Sequence, residues 1–257
     1  MNELNVVDTG DAGGRPIVWL GSLGSSTAMW KRQTAEFGDH HRCLLIDHPG
    51  HGDSPPADGP VSIESLGDDV LATLDDLGVE RTDLVGLSLG GMVGMNLAAR
   101  HPDRIDRLAL LCTTSHFGND DFWTERAATV RAGGTAPIAD AVVARWLTEE
   151  YAAAHPDDAA AFVATLSACD PGSYAHCCDA IRLMDQREIL PDVHAATLVI
   201  AGTEDPATPP IHAEVIAELI PGARLGTVHA AHFANWEQAE AVNRLLRDHL
   251  ARGSSDD

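Results

Sequence analysis

A doubly wound, mostly parallel α/β sheet is the fold class predicted for this chain of 257 residues, and three observations predict it. Short apolar runs alternate with amphipathic helical stretches. The runs are continuous rather than alternating, as strands buried on both faces are. A single stretch, from about residue 115 to 190, breaks the alternation with helices alone. The length exceeds the usual ~100–200 residues per domain but suits one α/β unit carrying an insertion.

In order, the candidate strands are Leu4–Val7, Pro16–Leu20, Arg42–Ile46, Asp83–Gly86, Arg107–Leu111, Thr197–Ile200 and Arg224–Val228. Helical patterns lie between them near 28–37, 62–78, 90–101, 211–220 and 236–251. Ser62 has the side chain of an N-cap, and Pro102 stops the helix that reaches His101. The interrupting stretch reads as helices over 124–132, 137–149, 156–169 and 173–186. His155-Pro156-Asp157-Asp158 and Asp170-Pro171-Gly172-Ser173 supply the breaks, and Pro191 closes the last. Residues 1–114 and 191–257 are thus expected to form the core in two parts, with 115–190 as a helical cap. Such an insertion sits over the carboxyl edge of a sheet, where ligands bind. Gly253–Asp257 reads as a frayed polar tail.

Composition narrows the function. Hydrophobic residues make 44% and charged residues 22%, the balance of a folded soluble domain. Seventeen basic against thirty-nine acidic residues give a formal charge of −22, and Lys31 is the only lysine. That surface repels phosphate backbones and anionic lipid heads, so neither nucleic acid nor membrane is an expected partner. No apolar run spans a bilayer, and the N-terminus has no charged-then-apolar leader pattern. The five cysteines, Cys43, Cys112, Cys169, Cys177 and Cys178, are odd in number and irregularly spaced, which points to a reducing cytoplasm. No metal motif occurs, and neither metal nor cofactor is expected.

Four local patterns carry chemistry. Gly86-Leu87-Ser88-Leu89-Gly90 follows an apolar strand and opens a helix, the context a nucleophilic serine on a sharp turn requires. Such a serine needs backbone N–H donors for an oxyanion; Leu89, next in the chain, is one candidate and Leu23, in the glycine-bearing loop after Leu20, is the other. Asp205 lies just past the strand Thr197–Ile200 and can orient an imidazole, with Glu204 as its rival. His232 follows the last strand and is preferred over His229 because it lies further into the loop. The chain order Ser88, Asp205, His232 matches one of the known arrangements of a serine triad.

With these residues in place, the chain resembles an α/β-hydrolase over nearly its whole length. Ile46-Asp47-His48-Pro49-Gly50-His51-Gly52-Asp53-Ser54 matches that family's turn after the fourth core strand, and the cap is expected after the sixth. Within the family, several strings resemble the 3-oxoadipate enol-lactonases: Ser22-Leu23-Gly24-Ser25 with Met29-Trp30, Leu111-Cys112-Thr113-Thr114, Arg145-Trp146-Leu147-Thr148, and Ala231 to Gln238. Gly21 stands where those lactonases often carry Asn. The resemblance implies a small lactone or ester substrate bearing a carboxylate. Arg182 is the preferred cap arginine for it, with Arg131, Arg145 and Arg187 beside it as candidates, and Trp123 and Trp146 as pocket walls. A broad carboxylesterase, a C–C bond hydrolase, a cofactor-free perhydrolase and a non-catalytic ligand receptor remain as alternatives.

Overall fold

The computed structural model describes residues 2–251, so the tail Gly253–Asp257 lies outside the described residues. Seven strands form one sheet: β1 (Val6–Gly10), β2 (Arg15–Leu20), β3 (His41–Ile46), β4 (Thr82–Leu87), β5 (Ile105–Leu111), β6 (Ala196–Gly202) and β7 (Arg224–Val228). Their order is β1-β3-β2-β4-β5-β6-β7. Only β1 runs antiparallel, against β3; every other pairing is parallel. All six residues of the central β4 are buried, whereas β1 and β7 at the edges are mostly open to solvent. Continuous apolar sequence therefore marks the middle of the sheet and fails at its rims.

The first strand illustrates that failure. It begins two residues later than the apolar run suggests. Leu4 packs into the core from coil, and pairing then continues through the polar Asp8-Thr9-Gly10 because an edge strand needs only one partner. Among the described residues five strands, not six, precede the inserted helices, although the insertion begins where expected. Among the described residues no strand precedes β1, since Asn2–Asn5 lie in coil.

Helices α1 (Lys31–Phe37), α2 (Ile63–Asp76) and α3 (Leu89–Arg100) belong to the first part of the core, with a 3-10 turn over Thr27–Trp30. The inserted layer holds α4 (Asp120–Gly133), α5 (Ala136–Val143), α6 (Glu149–Ala154), α7 (Pro156–Ser167) and α8 (Pro171–Leu183). Then α9 (Pro210–Leu219), α10 (Ala234–Glu237) and α11 (Ala239–Leu250) complete the core. Ser62 caps α2 in a reciprocal box: its hydroxyl accepts from the Ser65 N–H at 3.1 Å, and the Ser65 hydroxyl accepts from the Ser62 N–H at 2.9 Å. The helix expected over 137–149 is two helices. The chain leaves α5 before Arg145, and Thr148 starts α6 by accepting from the Tyr151 N–H at 3.2 Å. No described helix is long and apolar enough to cross a membrane.

Candidate active site

Ser88 sits between β4 and α3 with φ 56° and ψ −114°, a region that side-chain-bearing residues rarely adopt. The flanking glycines make it affordable. A Cβ on Gly86 would lie 2.3 Å from the Gly90 carbonyl oxygen, and one on Gly90 would lie 2.1 Å from the Leu20 carbonyl oxygen. The turn is pinned on every side. The Ser88 N–H donates to the Leu111 carbonyl at 3.0 Å, the Thr113 hydroxyl donates to the Ser88 carbonyl at 2.7 Å, and the Gly90 N–H donates to the Gly21 carbonyl at 2.9 Å.

Asp205 and His232, each just beyond the carboxyl end of a parallel strand, are in direct contact: Nδ1 of His232 to Oδ2 of Asp205 is 2.8 Å. Both are almost wholly buried. Burial alone pushes the Asp205 carboxyl up, but the neighbouring His232 and the hydrogen bonds from His232 and Thr208 outweigh it and hold the group below the usual carboxylate range. An ionised carboxylate only accepts, so Nδ1 of His232 donates in this contact. Thr208 is a partner that the sequence reading missed: its hydroxyl donates to Oδ2 at 2.7 Å, and the Ala207 and Thr208 N–H groups donate to Oδ1 at 2.7 and 3.0 Å. That pattern is an Asx turn, which Asp205-Pro206-Ala207-Thr208 signals by composition. The rivals Glu204 and His229 face each other at 3.7 Å with both side chains more than half exposed.

The loop after β2 carries Ser22 and Leu23 to the same place. His48 holds its base: Nε2 lies 3.0 Å from the Gly21 carbonyl, which the Gly90 N–H also reaches. Burial, followed by the neighbouring His51, lowers the His48 pKa to about 3, so the ring is neutral and donates from Nε2. One carbonyl thus ties the loop, the elbow and the His48 turn together. Leu89 is the first residue of α3, and its N–H points from a helix start where negative charge is favoured.

Ser22, Leu23, Ser88, Ala207 and His232 form the core side of a narrow cavity of about 480 Å³, counting the space at its open mouth. The inserted layer closes the other side with Phe122, Trp123, Arg126, Val142, Arg145, Trp146 and Ile181, and Phe117 stands in the connecting segment. Trp123 and Trp146 therefore lie where a substrate would touch them. Arg182 and Arg131 do not. Both turn to Asp179, at 3.9 and 2.5 Å respectively, and neither lines the cavity. Opposite charge within reach, one turn away on α8 for Arg182 and across from α4 for Arg131, captures them in place of the expected role. Arg187 is likewise held by Asp185 at 2.5 Å. Arg145 and Arg126 are the cavity arginines, and Arg126 was missed although it follows Phe122 and Trp123 by four and three residues on one helix face.

The segment joining α5 to α6 is fastened to both loops of the Asp205–His232 pair. Arg145 donates to the Pro206 carbonyl at 2.7 Å, and the Phe233 N–H donates to the Trp146 carbonyl at 2.7 Å. Trp146 and Phe233 stack with ring centroids 4.2 Å apart, and Glu237 accepts from the Thr148 hydroxyl and from the Ala231 N–H. A serine hydroxyl and a buried imidazole oriented by a carboxylate in one cavity are parts that acyl transfer uses.

A family model described as alpha/beta hydrolase fold matches residues 15–175, and one described as TAP-like protein matches 171–257. Over 249 residues the chain is 32% identical to 3-oxoadipate enol-lactonase 2 of Acinetobacter baylyi, covering 97% of this chain and 93% of that protein. The enol-lactonase from Burkholderia xenovorans LB400 superposes with a TM-score of 0.95 at 37% identity, over 97% of this chain and 96% of that one. A malate-bound thermophilic esterase from Thermogutta terrifontis does so with a TM-score of 0.91 at 27% identity, over 97% and 93%. In fold, in sheet order and in sequence along nearly all its length, this chain belongs to the α/β-hydrolase family, and within it is similar to the 3-oxoadipate enol-lactonases.

Proposed function

We propose that the protein is a serine hydrolase that opens 3-oxoadipate enol-lactone to 3-oxoadipate, a step in protocatechuate and catechol breakdown in the cytoplasm. The observation that carries this reading is the buried Asp205–His232 contact of 2.8 Å in the same cavity as the strained Ser88. The similarity to enol-lactonases supports the choice of substrate. All five cysteines are free and buried, which fits a reducing compartment.

In this reading Nε2 of His232 takes the Ser88 proton as Oγ attacks the lactone carbonyl, and Asp205 stabilises the imidazolium that forms. The N–H groups of Leu23 and Leu89 bind the oxyanion; losing one such donor costs about 3–4 kcal/mol of transition-state stabilisation. Collapse of the tetrahedral intermediate breaks the ring C–O bond and expels an enolate. His232 protonates the leaving group, which ketonises. Water, deprotonated by His232, then attacks the acyl ester, returns the proton to Ser88 through the imidazole and releases the carboxylic acid.

The direct test follows the loss of enol-lactone absorbance with purified protein, beside Ser88→Ala. Turnover that disappears in the variant is the expected result, and near-wild-type turnover in Ser88→Ala overturns the account. A carboxylesterase is the second reading, favoured by the likeness to the Thermogutta terrifontis esterase; higher kcat/KM on p-nitrophenyl esters than on the enol-lactone would establish it.

A further inference from the structure

The three side chains of the proposed triad are not supported alike. The Ser88 turn is pinned to Leu111, Thr113 and Gly21, and Asp205 sits in its own Asx turn. His232 lies where the chain has already left β7. Its main chain is last tied to the sheet side at Ala230, whose N–H donates to the Val228 carbonyl at 3.0 Å and whose carbonyl accepts from the Glu204 N–H at 3.0 Å. Among the described residues no main-chain group of Ala231, His232 or Phe233 bonds to a strand. A base displaced by about 1 Å loses up to about 10²-fold in rate, so this stretch must be held from elsewhere.

Its N–H bonds lead instead to the segment joining α5 to α6. The Phe233 N–H donates directly to the Trp146 carbonyl at 2.7 Å. The Ala231 N–H donates to Oε2 of Glu237 at 3.2 Å. The same carboxylate accepts from the Thr148 N–H at 3.2 Å and, through Oε1, from the Thr148 hydroxyl at 2.5 Å. These donors are neutral, so charge-assisted hydrogen bonds carry the contact. Glu237 thus grips the chain one residue before His232, and Trp146 grips it one residue after.

Such a grip needs a fixed platform, and α10 is one. The Asn235 amide donates to the Met29 carbonyl at 2.9 Å, and the Trp236 indole N–H donates to Asp158 of α7 at 2.7 Å. Arg32 of α1 donates to the Trp236 carbonyl at 2.7 Å, with its guanidinium carbon 4.6 Å from the centroid of that indole. Glu237, next in the chain, is left to reach back to the loop it follows.

We infer that Glu237 is a positioning residue for His232: it hangs the backbone of the imidazole from Thr148, so that the inserted layer sets the base against Ser88. The inference rests on His232 being the base of the proposed reaction, and not on which lactone is opened.

Hydrolysis of p-nitrophenyl acetate, a small neutral ester, tests it, with kcat and KM read separately. Glu237→Ala should lower kcat about 10- to 100-fold while KM changes less than about 2-fold. Glu237→Asp keeps the charge but stops one methylene short of Ala231, and should lose nearly as much. Glu237→Gln keeps the reach and an acceptor oxygen for the Ala231 N–H, and should stay within about 5-fold of wild type. Thr148→Val leaves the Ala231 bond in place and should cost about 2- to 3-fold in kcat. The Nδ1 proton resonance of His232, followed by NMR, should shift or broaden in the Ala and Asp variants and stay in place in Glu237→Gln. A role confined to stability would move the urea midpoint and leave this resonance and the kcat of folded protein unchanged. The inference is overturned by a kcat within about 2-fold of wild type in Glu237→Ala and Glu237→Asp, or by a loss carried by KM alone. It is overturned equally by Glu237→Gln falling as far as Glu237→Asp, the pair that decides if Glu237→Ala does not fold. Turnover that persists in Ser88→Ala would fell the base reading and this inference with it. An inactive Ser88→Ala beside fully active Glu237 variants would fell this inference alone.

Discussion

The two walls of the cavity are built by different means. On the core side, Ser22, Leu23, Ser88, Ala207 and His232 each lie just past the carboxyl end of a parallel strand, and the backbone that carries them is held directly by hydrogen bonds, from main-chain groups and from His48, Thr113 and Asp205. On the cap side, Phe122, Trp123 and Arg126 project from the face of one helix and Arg145 from the segment joining α5 to α6, placed by ring stacking and side-chain contacts. Reacting atoms are thus set by backbone geometry, which leaves little play, and recognition is set by side chains, which can be exchanged without rebuilding the sheet. The difference teaches where chemistry and where specificity should respond to substitution.

The largest effect should come from the core wall. Ser88→Ala is expected to lower kcat by about 10⁴-fold or more, measured with a spectrophotometric ester or lactone assay. Next is acid sensitivity. Folded His48 stays neutral down to about pH 3, while the unfolded chain takes up that proton below its ordinary value near 6.5. The unfolded state then binds more protons, so this ring's contribution to stability is complete above about pH 6.5 and falls by about 1.4 kcal/mol per pH unit toward pH 3. His51, also held low by burial, adds to the same slope. Denaturant titrations at several pH values should show a shallower slope in His48→Asn; an unchanged slope would remove His48 from the account.

Gly90→Ala sharpens the contrast, because its Cβ would meet main-chain rather than side-chain atoms. A loss of about 3 kcal/mol or more is expected in urea unfolding, together with lost activity. Thr208→Val removes one donor from Asp205 and should lower kcat about 10-fold with KM little changed, since the hydrogen bond serves the imidazolium form. The smallest change belongs to the cap wall: Phe122→Leu removes the ring under the Arg126 guanidinium and should raise KM by about 2- to 5-fold with kcat little changed, the worth of a half-buried stack. A cap substitution that lowered kcat as much as Thr208→Val would break the division of labour.

The same division governs what the sequence revealed. The strands β2 to β6 declare themselves by continuous apolar runs, and the elbow by Gly86 and Gly90, since these are local backbone demands. Asp205 and His232 follow from their position after β6 and β7. Of the two edge strands, β7 is read with the bounds it has, whereas β1 is misplaced because burial, the source of the pattern, is missing there. The cap arginines were not legible in the same way. Arg182 meets Asp179 at i,i+3 on α8, a relation the sequence does carry, but that Arg131 also meets Asp179 while Arg126 meets the cavity depends on how α4 packs on α8, which no local pattern encodes. Thr208 lay in plain view within an Asx turn.

Residues 144–148 are inserted by chain order yet bonded like the catalytic loops they touch, through Pro206, Phe233 and Glu237. An engineer who excised the helical layer at its sequence boundaries would also cut the fasteners on both loops of the acid–imidazole pair. Lid swapping between relatives should therefore keep Arg145 to Thr148 with the recipient scaffold and exchange only the helices on either side.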